Sequence, residues 1–151
     1  MAFELSAALS KSIENEFAKL GIKLEICPGF ELESWEGGFL PIRLIELPQE
    51  YLFNLPQLIQ ISGFELYYDQ GHASSRTTMG RTIAELILQC YFTAILTLLS
   101  EGTYIDPQTG DTYEGREALK RAHEEIMEYE EFLDESSKKQ HPFTRWEDYL
   151  A

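Results

Sequence analysis

Apolar residues recur along the chain with two periods, and the changes of period lay out the elements. Leu5, Leu9, Ile13, Phe17 and Leu20 fall three or four residues apart, with Lys11, Glu14, Glu16 and Lys19 between them. That spacing predicts an amphipathic helix over residues 3–20, stopped by Gly21. The period then drops to two. Ile22, Leu24 and Ile26 alternate with Lys23 and Glu25, and after Pro28-Gly29, Phe30 and Leu32 alternate with Glu31 and Glu33. After Glu36-Gly37-Gly38, Leu40, Ile42 and Leu44 share one face of segment 39–47. Three strands are predicted. Pro41 has no backbone N–H, which puts the third strand at a sheet edge or starts it after Phe39. Residues 48–55 are expected to form a short helical turn with Pro48 at its first position. Residues 58–68 are expected to form a further strand with a bulge at Gly63.

The longest apolar stretch is residues 81–100, RTIAELILQCYFTAILTLLS. Its polar positions, Thr82, Glu85, Gln89, Thr93, Thr97 and Ser100, recur every three or four residues and form one narrow stripe on a helix. The rest of its circumference is apolar, so this helix has to be covered on most sides. Thr82 and Glu85 have capping-box spacing, and Gly102 is placed to end the helix in a left-handed conformation. Segment 104–113 reads as a hairpin turning at Asp106-Pro107 and Gly110. Leu119, Ala122, Ile126, Tyr129 and Leu133 define a last helix over residues 116–136. In the tail, Phe143, Trp146 and Leu150 are spaced to dock residues 137–151 on the body.

The tetrapeptide Gly-Phe-Glu-Leu occurs at 29–32 and again at 63–66. Two short matches do not make a repeat architecture. They are expected to be two strands with the same inside–outside pattern, the competing reading being a duplicated binding edge.

Together these elements predict an α+β fold in a single domain over residues 1–151. It has an antiparallel sheet of about four to six strands packed against the long buried helix 81–100, with amphipathic helices near both termini. The length of 151 residues and 44% hydrophobic content suffice for a core without disulfides or metal. The charge-free run 86–100 is 15 residues, short of the roughly 20 that span a bilayer, so no membrane association is expected. The N-terminus lacks the basic region of a secretion signal. Cys27 and Cys90 read as small core residues of a reduced, cytoplasmic protein, although sequence alone leaves a disulfide open.

Charge narrows the function classes. A net charge of −14 disfavours nucleic-acid binding, which needs Lys and Arg on phosphates, and points to a basic protein partner or to solubility. Between Glu114 and Glu135 nine acids face three bases. A solvated helix face explains many such runs. The functional alternative is a partner-binding face of Glu117, Glu124, Glu125, Glu128 and Glu131. Opposite charge on a partner would then speed association.

One window runs against the acidic trend. From Gln70 to Ala84 there is no acid, but there are Arg76, Arg81 and His72. Read as a loop over 69–81, it offers His72, Ser74, Ser75, Arg76 and Arg81 for an anion such as a phosphate or carboxylate. The plainer reading is a surface loop whose hydroxyls satisfy backbone amides. The window has no Walker lysine or spacing. His72 with Asp69 has the makings of a general base and its orienting carboxylate. His123 beside Glu124 and Glu125 lacks helical metal-ligand spacing. No catalytic residue, metal or cofactor is assigned.

Three functions follow in order of support. The first is a small acidic binding module that neutralises a basic partner, as an immunity protein or inhibitor does. The second is an anion- or nucleotide-binding enzyme or sensor using the loop 69–81. The third is a homodimeric acidic secretion chaperone. Acidic secretion chaperones and many immunity proteins have a broadly similar order of elements, an analogy at the level of fold alone.

Overall fold

The computed structural model describes residues 8–28, 30–48, 61–76, 83–106 and 109–131. Within them the fold is α+β: a four-stranded antiparallel sheet, a separate two-stranded sheet and three α-helices. The first seven residues of the chain, the expected turn after Pro48, and the end of the last helix with the docked tail 137–151 lie outside the described residues.

Helix α1 (Ala8–Lys19) buries Leu9, Ile13 and Phe17. It closes at Gly21, whose φ is +80°, with Ile22 N–H bonded to Phe17 C=O at 3.0 Å. This is a left-handed cap that glycine adopts without a Cβ penalty. The sheet follows as a meander of β1 (Lys23–Ile26), β2 (Gly38–Glu46), β3 (Ile61–Asp69) and β4 (His72–Arg76), with spatial order equal to chain order. One face carries Leu24, Ile26, Leu40, Ile42, Leu44, Phe64 and Leu66, all buried. The other face bears an Arg43–Glu25 ion pair and the exposed Ile45 and Tyr67.

Helix α2 (Ile83–Ser100) crosses the buried face of the sheet. It buries Ile87, Leu88, Phe92 and Ile95, and no described side chain on it is fully exposed. Its end differs from the expectation. Glu101, with φ +55°, takes the left-handed position, and Gly102 follows it, its N–H bonded to Thr97 C=O at 3.0 Å. The cap is a Schellman motif with glutamate where glycine is usual. The hairpin β5 (Thr103–Ile105) and β6 (Thr112–Glu114) leads into helix α3 (Arg116–Glu131), which packs Ala118, Leu119, Ala122 and Ile126 inward against α2.

Three further expectations are corrected. Residues 30–33 do not form a strand: Leu32–Ser34 is a 3-10 turn. Gly63 is not a bulge, because the β2–β3 register runs through it unbroken. Glycine is needed there because a Cβ would stand inside contact distance of the Leu40 backbone oxygen, and because its φ of +151° is one that side chains rarely adopt. The register shift in the sheet is at Lys23/Leu24 instead. Pro41 sits in β2, which has a neighbour on each side. It is tolerated because β1 ends at Ile26. Cys27 N–H still donates to Pro41 C=O at 3.2 Å, but Cys27 C=O turns away to accept from Phe30 N–H at 3.3 Å. No acceptor is left waiting for the proton that proline lacks.

Candidate functional site: a groove beside the last strand of the sheet

The polar stripe of α2 meets the sheet only at its last strand, where Gln89 and Thr93 bond Ser75 of β4. Gln89, Thr93, Thr97 and Ser100 line a cavity of about 780 Å³ between β4 on one side and β5 and α3 on the other. Leu86 and Leu96 add apolar floor, Ile105 an apolar wall, and Asp106, Arg121, Glu125 and Glu128 a charged one. The groove exists because the stripe is made of short side chains and because β4 ends the sheet without a further strand among the described residues.

The charged wall is a network centred on Arg121. Its Nη2 donates to Asp106 Oδ2 at 3.1 Å and its Nη1 to Glu128 Oε1 at 3.3 Å. Glu124 Oε2 lies 3.5 Å from Nη1, and Glu125 Oε1 lies 3.4 Å from Nε. Burial works against the guanidinium charge, but the bonds to Asp106 and Glu128 and the field of Glu125 outweigh it, so its pKa is raised. Glu125 Oε2 accepts from Tyr104 OH at 3.0 Å and is 3.8 Å from Cys90 Sγ. Burial pushes the Glu125 carboxyl above the usual range, and Asp106 adds to this against the lowering by Tyr104 and Arg121. Burial, reinforced by Glu125, also raises the Tyr104 hydroxyl and the Cys90 thiol. A thiol held protonated in this way is a poor nucleophile. Both cysteines are free and buried.

The structure separates the residues of the acid-free window. The expected loop is overturned over residues 72–76, which form β4. Gln70 (φ +46°) and Gly71 (φ +81°) make the tight turn between β3 and β4, with Asp69 paired to His72. In a strand the side chains alternate, so Ser75 turns toward α2 and shares a 2.7 Å hydrogen bond with Thr93 Oγ1, while His72, Ser74 and Arg76 are exposed. Arg76 pairs with Glu65 on β3, and that hydrogen bond raises its pKa. Arg81 lies outside the described residues. His123 Nδ1 is 2.8 Å from Tyr91 OH.

The acidic residues on α3 divide into two sets. Glu117, Glu124 and Glu128 are exposed along one stripe, the last two still reaching Arg121, whereas Glu125 is the more buried member of the network. The side chain of Glu131 is outside the described set. Sequence reasoning missed Asp106, Tyr104 and Arg121 as one unit. The signal available was an arginine placed three, four and seven residues before Glu124, Glu125 and Glu128 on one helix.

No family model, curated protein or solved structure matches the chain. No described helix is long and apolar enough to cross a membrane.

Proposed function

We propose that the chain is an acidic protein-binding module that holds a basic partner, in the manner of an immunity protein or inhibitor, in a reducing cytoplasmic compartment. The observation that carries this reading is the exposed ridge of Glu117, Glu124 and Glu128 along α3, of which Glu128 lines the groove. Glu124 and Glu128 reach Arg121, yet their side chains are 48% and 60% exposed, so each keeps an open side for a second cation. In a chain of net charge −14 the long-range field steers in the same direction. Binding without covalent chemistry agrees with thiols held protonated.

The test is the association rate with a defined basic probe, a lysine-rich polypeptide, measured at low and physiological salt. Reversal of Glu117, Glu124 and Glu128 to lysine is expected to slow association by about tenfold or more and to flatten its salt dependence. An unchanged rate would remove this face as the site.

A further inference from the structure

The hydrogen-bonding pattern of β4 specifies what its outer edge offers. Asp69 and His72 flank the two-residue turn and so form a hydrogen-bonded pair, as do Tyr67–Ser74 and Glu65–Arg76 in turn. The intervening residues, Ala73 and Ser75, point their backbone groups away from β3. The orientation is confirmed independently by Ser75 C=O, which accepts from the Gln89 side chain at 3.1 Å. These groups stand at the rim of the groove, and no strand among the described residues pairs with them.

A strand laid there would sit over short side chains. Its inward residues would pass above Thr93 and Thr97 toward Glu125 and Glu128 on α3. With Asp106 and Arg121 included, the groove wall carries a net negative charge, and Glu128 remains largely exposed to a new cation. We propose that the groove takes an extended segment of a partner protein, with lysine or arginine alternating with apolar residues, as a fifth strand added to β4. This rests on the acidic-module reading and adds the place and the mode of binding. Main-chain bonds to the N–H and C=O of Ala73 and to the N–H of Ser75 hold the segment, the Ser75 carbonyl being engaged already by Gln89, and its inward basic side chains meet Glu125 and Glu128.

The experiment uses the full chain and a labelled peptide of alternating lysine and valine about the length of β4. Binding is followed by fluorescence anisotropy. Ala73→Pro removes one outward N–H at an edge position, where proline is tolerated, and leaves every charge in place. It is expected to weaken binding about tenfold. The same peptide methylated at every backbone nitrogen, tested on the unsubstituted chain, should lose at least as much, which keeps the test sound if Ala73→Pro fails to fold. A peptide with glutamate for lysine should not bind. Suppose Ala73→Pro and the methylated peptide both bind like their parents, while reversal of Glu117, Glu124 and Glu128 abolishes binding. Strand addition is then wrong and the acidic ridge stands. Loss of neither would sink both readings. A concentration-dependent dimer of the chain that Ala73→Pro abolishes would put a second copy on β4 and overturn the proposal.

Discussion

The two edges of the four-stranded sheet are finished in opposite ways. At β1 the edge is short, four residues with a register shift, and it is capped. The N–H of Ile26 points outward and donates to the Glu14 carboxylate of α1 at 3.2 Å. At β4 the edge borders a groove, and of its outward groups the Ser75 carbonyl meets the amide of Gln89. An open strand edge invites pairing with another chain, so proteins blunt it by shortness, by kinks, by charge or by cover. One edge here shows three of these devices. The β4 edge, five residues long and covered in part by Gln89, is the less protected of the two, and strand addition is proposed there.

The largest effect that would sharpen this contrast lies in the groove wall. Asp106 is 4% exposed at its side chain and faces Arg121. Arg121→Ala leaves that carboxylate buried without its cation, and a loss of about 3–5 kcal/mol in urea unfolding is expected. Adding Asp106→Asn should recover much of it. A loss well below about 1 kcal/mol would mean the wall by β4 does not depend on the pair.

Next in size is the capped edge. Glu14→Ala should cost about 1–2 kcal/mol, since it strands a partly buried amide. Hydrogen exchange should quicken at Ile26 while the β4 amides keep their rates. Equal acceleration at both edges would show that the sheet opens as a unit and that the contrast is only geometric.

The smallest effect is on pH dependence. Burial raises the Glu125 carboxyl above its ordinary value of 4.5, so the folded chain binds a proton there more readily than the unfolded chain. Stability should therefore fall as pH climbs from that ordinary value through the raised one, with the penalty complete above it. Glu125→Gln has no such titration. The stability of the native chain relative to the variant should drift downward across that window, and a flat difference would place Glu125 in ordinary solvent.

How far the fold was legible depends on how local the deciding contacts are. The stripes Leu9–Ile13–Phe17 and Leu119–Ala122–Ile126 mark helices because a helix reads its own spacing. The pair of Phe-Glu-Leu segments shows where that stops. Phe30 and Leu32 are buried from an irregular segment entering a 3-10 turn, and Phe64 and Leu66 are buried from a strand. Both phenylalanine rings meet Phe92 edge-on, at centroid distances of 6.4 and 5.1 Å. The Trp35 indole N–H then ties the first segment to the second, bonding Leu66 C=O at 2.8 Å. Alternation recorded which side chains go in, not which backbone carries them. In the same way, His72 to Arg76 read as a loop because its turn uses Gln-Gly in place of the stronger Asn-Gly signal. The groove was not legible at all. It arises where β4, β5 and α3 meet, and the polar stripe of α2 marked only its floor.

That floor has one more property. Thr93 Oγ1 donates to Gln89 C=O at 2.9 Å, and Thr97 Oγ1 donates to Thr93 C=O at 3.0 Å. The hydroxyl protons are satisfied within the helix itself. Water standing over these two residues can donate to their oxygens but accepts nothing from them, so a ligand that covers this strip displaces water held by fewer bonds than over free hydroxyls. Over that floor, affinity is expected to rise with the bulk of the inward side chains more than with any hydroxyl or amide those side chains carry.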